Sequence, residues 1–167
     1  MFGVFRVAKA RKTCVQALLT YVVRPKVFGP WPPHFWQDPF VIGFVAYVIS
    51  NISHMATNGK LNTEQRGLVL IGTLKDVGAS PTDFLDRMEI LAPARDPAFM
   101  LGARNAETII TYVFNLHPMP GDSDVAAAKE LARGTTLTGN VDRAEIGGAL
   151  INMLYTNIVK QRLGDID

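Results

Sequence analysis

The chain has 167 residues, 48% hydrophobic and 19% charged, with a formal net charge of +2 and one cysteine. That length makes one domain, or two very small ones, and is enough to bury roughly two thirds of the unfolded surface. The composition excludes a disordered tail, a disulfide framework, a Cys-rich zinc site and a collagen-like or low-complexity chain.

Near-neutrality is an average over an uneven chain. Residues 1–37 carry six basic groups, Arg6, Lys9, Arg11, Lys12, Arg24 and Lys26, and no acid, while the remainder is net −4. A basic head on a mildly acidic body suits an anionic partner, a membrane surface, or the body itself. Val4 to Val23 reads as a helix that Arg24-Pro25 ends, because the residue before proline avoids the α region. On it Arg6, Lys9, Thr13, Gln16 and Thr20 form a polar stripe, which Arg11 and Lys12 widen. Phe5, Ala8, Val15, Leu19 and Val22 form an apolar stripe. No small-x-small cleavage site follows and the first serine is Ser50, so the segment reads as mature sequence. Cys14 is either activated by its basic neighbours or a small apolar filler.

Residues 25–37 form a proline–aromatic connection. Seven of the fifteen aromatics, Phe28, Trp31, Phe35, Trp36, Phe40, Phe44 and Tyr47, fall within twenty residues. They are either rings folded over the end of the core or a stiffened docking patch that orders little on binding.

Six more helices follow. Asp38-Pro39 opens the second with Asp as N-cap and Pro at the first helical position, and it runs to about Ala56. Its apolar part, Phe40 to Ile52, is 13 residues. A bilayer span needs roughly 20, so this reads as a buried helix. The third opens at Asn62 or Thr63 and ends at Gly78. The fourth opens on Ser80-Pro81-Thr82-Asp83 and ends near Leu91. Asp96-Pro97 repeats the Asp-Pro device for a fifth, ending near His117-Pro118. The sixth covers Asp122 to Arg133 with Gly134 as C-cap. The seventh runs from Asp142 to about Leu163. No alternating β-branched run occurs, so the fold class is all-α, a bundle of six to seven helices.

The third and seventh helices carry related faces, Gly67-x-x-Leu70-Ile71-x-x-Leu74 and Gly147-x-x-Leu150-Ile151-x-x-Leu154, at an offset of 80 with five identities in eighteen positions. The second and third helices, and the sixth and seventh, are thus candidates for two related helix-turn-helix units. A glycine inside a helix costs about 1 kcal/mol, so the pattern predicts close helix approach at Gly67 and Gly147. Read as calcium loops, the turns supply His54, Ala56, Asn58 and Gln65, or Gly134, Thr136, Thr138 and Glu145, which offer too few of the anionic oxygens such a loop requires. Met55 to Glu64 resembles the turn of TerB-type tellurite-resistance domains, which carry an aspartate where Asn58 stands. The resemblance covers ten residues, and no function is carried over from it.

No P-loop, nucleophile elbow, Rossmann glycine pattern or His-Glu-x-x-His occurs, and His34, His54 and His117 lack a second ligand at helical spacing. No catalytic, cofactor or metal residue is expected, and an enzyme is the weaker class. The leading expectation is a non-catalytic, cytoplasmic interaction module. It would self-associate or dock on a protein through Arg6, Lys9, Lys12, Phe28, Trp31, Phe35 and Trp36. The alternatives are a small-molecule-binding or catalytic bundle, with His54 or a glutamate as its polar group, and a peripheral protein on an anionic membrane. Nucleic acid is disfavoured by the acidic body. If the head only docks, removing residues 1–37 should leave the helical core folded.

Overall fold

The computed structural model describes residues 2–22, 34–116, 123–135 and 141–164, and among them the chain is all-α, with seven helices and no strand. They are α1 (Phe2–Tyr21), α2 (Pro39–Thr57), α3 (Thr63–Asp76), α4 (Pro81–Leu91), α5 (Pro97–Phe114), α6 (Ser123–Thr135) and α7. The last is an α-helix over Arg143–Ile151, a π turn over Asn152–Thr156 and an α-helix over Asn157–Leu163. A short 3-10 turn, Phe35–Gln37, precedes α2.

The helix starts follow their capping chemistry. Asp38 and Asp96 each accept two backbone N–H groups, from Phe40 and Val41 and from Ala98 and Phe99, with proline in the first turn of both helices. Ser80 accepts from the Asp83 N–H. Asn62 with Gln65, and Asp142 with Glu145, form reciprocal capping boxes. The ends are less regular. α5 stops at Phe114 because Asn115 turns left-handed at φ 53°, not because of Pro118. α6 runs through Gly134 to Thr135, so this glycine does not close the helix.

α2 is the hub. It packs against α1, α3, α4 and α5, most extensively against α5. By length and composition it is apolar enough to cross a membrane, but Phe40 to Val45 are all buried inside the fold. α2 and α5 cross where Gly43 lies against Phe99 and Gly102 against Phe40. Their backbones touch. A Cβ on Gly43 would lie 2.0 Å from the Phe99 carbonyl oxygen, and one on Gly102 would lie 2.1 Å from that of Phe40. Both distances are far inside van der Waals contact, so only glycine fits at either position.

The expected close approach at Gly67 and Gly147 is not found. A Cβ at Gly67 would meet nothing within 4 Å, and one at Gly147 would make an ordinary 3.6 Å contact with Val113. The related faces are also buried differently, since Leu150 and Ile151 are buried while Leu70 and Ile71 are half-buried. The aligned capping boxes are shared, but Thr138-Gly139-Asn140 lies outside the described residues.

α7 is seated by aromatic stacking and one ion pair. The fully buried Tyr155 ring lies 4.3 Å from Phe44 and 6.2 Å from Phe40, centroid to centroid. The π turn around it frees backbone groups from the α pattern. Buried Asn105 on α5 donates to the Leu154 carbonyl at 2.8 Å, so that acceptor is satisfied. Arg162 meets both Asp38 carboxylate oxygens at 3.1 and 3.0 Å. Asp38 therefore caps α2 and anchors the end of α7 together.

Two outcomes follow for urea denaturation. Gly43→Ala and Gly102→Ala each lose about 1–3 kcal/mol by overpacking, whereas Gly67→Ala, with open space and helical φ, gains up to about 1 kcal/mol. The Tyr155 hydroxyl is buried with no hydrogen-bond partner. Tyr155→Phe therefore leaves stability unchanged or raises it by about 1 kcal/mol, since the lost hydroxyl was desolvated without a bond.

Candidate functional site on the outer face of the first helix

α1 is a wall of the core as well as a surface. It packs along α2 and α3. Ala10, Cys14, Leu18 and Val22 are fully buried, with Val7 and Ala17 partly so. The apolar stripe expected from the sequence is therefore not the face that packs on the core. Of its members only Val22 is buried; Phe5, Ala8 and Leu19 are exposed and Val15 is half-buried. The reason is angular: Phe5 lies about 180° around the helix from the buried Cys14 at 100° per residue, so it faces away from the core.

The outer face is consequently mixed. Val4 is 75% and Phe5 70% exposed, and Arg6, Lys9 and Lys12 are exposed beside them. These three bases make no ion pair among the described residues. Arg11 differs. Its Nε donates to Asp76 at 2.6 Å and its Nη2 meets the other carboxylate oxygen, with the side chain laid over Gly72 of α3. The hydrogen bonds hold the Arg11 pKa up and the Asp76 carboxyl below the usual carboxylate range. Among the described bases of the head, the body thus occupies Arg11 and leaves Arg6, Lys9 and Lys12 to solvent. Beside this pair runs a groove of 570 Å³ along α1, lined by Ala8, Val15 and Leu19 together with Arg11, Lys12 and Asp76.

The two described rings of the expected site, Phe35 and Trp36, are not part of this face. Phe35 is fully buried, with Trp36 edge-on to it at 4.8 Å and half-buried against the core. Phe35 is therefore a core residue and not a docking ring. Phe28 and Trp31 lie outside the described residues. Sequence reading missed Val4 and Phe5 as surface groups. For Phe5 the signal was available in its angular position, about 180° from Cys14 at 100° per residue; Val4 gives none, since it lies at the same angle as the buried Val22.

Other candidates separate in space. The exposed His54 sits at the end of α2 beside Gly59, and Glu107 is held by Tyr47, whose pKa is raised by burial and by that carboxylate. A void lined by Phe44, Val48, Ile109 and Ile110 holds only about 30 Å³ and is almost wholly apolar. Ligand chambers run to roughly 300 Å³ and more, so it has room for no organic molecule. More open clefts of 420 and 640 Å³ lie between α2, α3 and α4 and between α6 and α7.

No family model matches the chain, and no curated protein or solved structure matches it. The TerB-like turn therefore stays a local likeness, built here from Asn58 and Gly59 at φ 51° and 70°.

The buried face of α1 has its own test. Burial pushes the Cys14 thiol up to about 12, and its Sγ lies 3.6 Å from the Ile49 carbonyl oxygen. Cys14 is a core filler and not an activated thiol. At pH 8 a colourimetric disulfide reagent should leave the native chain unlabelled and react fully in denaturant. Deleting residues 1–37 should remove a core wall and unfold the chain, contrary to the expectation for a detachable head.

Proposed function

We propose that this chain is a non-catalytic interaction module that self-associates through the outer face of α1. The observation that carries the reading is the pairing of two largely exposed apolar side chains, Val4 and Phe5, with three bases that make no ion pair among the described residues. Isolated exposed apolar residues are ordinary on monomers. Here they adjoin a groove whose apolar lining continues through Ala8, Val15 and Leu19. Covering that strip removes apolar area from water, while the lysines supply orientation and partner choice. The helix is rigid because its other face is in the core, so little conformational entropy is lost on docking.

The test is sedimentation of the full chain over roughly 1–300 µM, a range that brackets micromolar association. Association should appear, and Phe5→Asp combined with Lys9→Glu and Lys12→Glu should abolish it with unchanged helical circular dichroism. A wild-type chain that stays monomeric throughout, or a variant that associates as before, overturns the reading. A monomeric wild type that floats with phosphatidylserine vesicles, and loses this in the variant, assigns the face to a membrane and likewise overturns self-association.

A further inference from the structure

The reading of α1 as a self-association face leaves open what it meets on a second copy, and the inference here rests on that reading. One described helix carries three acids. On α4, Asp83, Asp86 and Glu89 are exposed and make no ion pair among the described residues, and Ile90 stands 64% exposed among them. Phe84 and Leu91 occupy the buried side of the same helix. The one base on α4, Arg87, is directed to the Gln37 carbonyl at 3.4 Å.

The two outer faces have matching spacing. On α1 the order is Phe5, Lys9, Lys12, at intervals of four and three residues. On α4, read backwards, it is Ile90, Asp86, Asp83, again at four and three. Each triplet falls within about 60° of its helix surface and spans about 10 Å of axis. Laid antiparallel, the helices bring Phe5 to Ile90, Lys9 to Asp86 and Lys12 to Asp83 in one register. A parallel arrangement opposes Phe5 to Asp83 and Lys12 to Ile90. Antiparallel packing also sets the helix dipoles head to tail.

We infer that the partner of α1 is α4 of a second copy, docked antiparallel with an apolar Phe5–Ile90 contact at one end and two lysine–aspartate pairs behind it. The surfaces joined are different, so the contact is heterologous. Each copy offers one donor face and one acceptor face, and assembly either closes when both are used between two copies or continues from copy to copy.

Mixing two half-blocked full-length chains tests this. Lys9→Glu with Lys12→Glu makes both faces acidic, and Asp83→Lys with Asp86→Lys makes both basic. Each variant alone should associate at least about tenfold more weakly than wild type, because like charges face each other. Mixed one to one they should associate again, since the acidic α4 of one meets the basic α1 of the other. Ile90→Lys, beyond the first turn of α4, should give the same loss as the aspartate variant. If the α1 variant loses association but both α4 variants keep it, α1 is the interface and α4 is not its partner, which overturns this inference alone. If the α1 variant also associates normally, the reading beneath it falls as well. Failure of the mixture to recover overturns the pairing even where both single variants are weakened.

Discussion

The backbone contact between α2 and α5 fixes the rest of the molecule. Two glycines, Gly43 and Gly102, each face a carbonyl of the opposite helix where no Cβ fits. At that separation the helices act as one rigid unit, and α1, α3, α4 and α7 are placed against it, with α6 resting on α7. α1 and α3 lie along α2, and α7 inserts Tyr155 against Phe40 and Phe44, the two rings that flank Gly43 on the sequence of α2. Moving α2 by the width of one methyl group displaces that aromatic seat. The cost of two interior glycines, about 1 kcal/mol each, is offset by the contact they permit.

Local chemistry was legible in the sequence and long-range packing was not. Asp38-Pro39, Asp96-Pro97, Asn62 with Gln65 and Asp142 with Glu145 each announce a helix start, because a cap is satisfied within four residues of itself. The α2–α5 contact gives no such sign. A glycine in a helix looks the same whether a backbone or open space lies opposite, which is why Gly67 attracted the expectation that Gly43 and Gly102 fulfil. The π turn in α7 is equally silent, since the Asn105 side chain that satisfies Leu154 lies 49 residues away.

The surface was half legible. Arg6, Lys9 and Lys12 stand exposed on α1, as charged groups on a helix are expected to, but an apolar stripe containing Phe5 does not by itself say whether it faces core or solvent. Burial in α1 follows the side that packs on α2 and α3, where Ala10, Cys14, Leu18 and Val22 lie, and Phe5 is on the opposite side. Phe35 shows the converse: an aromatic beside prolines, suited to docking by composition, is fully buried. The segregation of charge along the chain survives in space, with an acid-free first helix and an acidic outer face on α4.

Asp38 has a consequence for the order of folding. It takes part in a local cap with Phe40 and Val41 and in an ion pair with Arg162, 124 residues away. The first forms within a helical turn, while the second closes a loop of more than a hundred residues. Phe40 and Tyr155 close nearly the same loop. Loop-closure entropy delays contacts of this range until shorter ones are in place. α7 is thus the element that seats last on this argument, onto a surface the α2–α5 pair has already shaped. Until it does, the Phe40 and Phe44 rings face solvent, which is the interval in which the chain is most open to chaperones, proteases and its own neighbours.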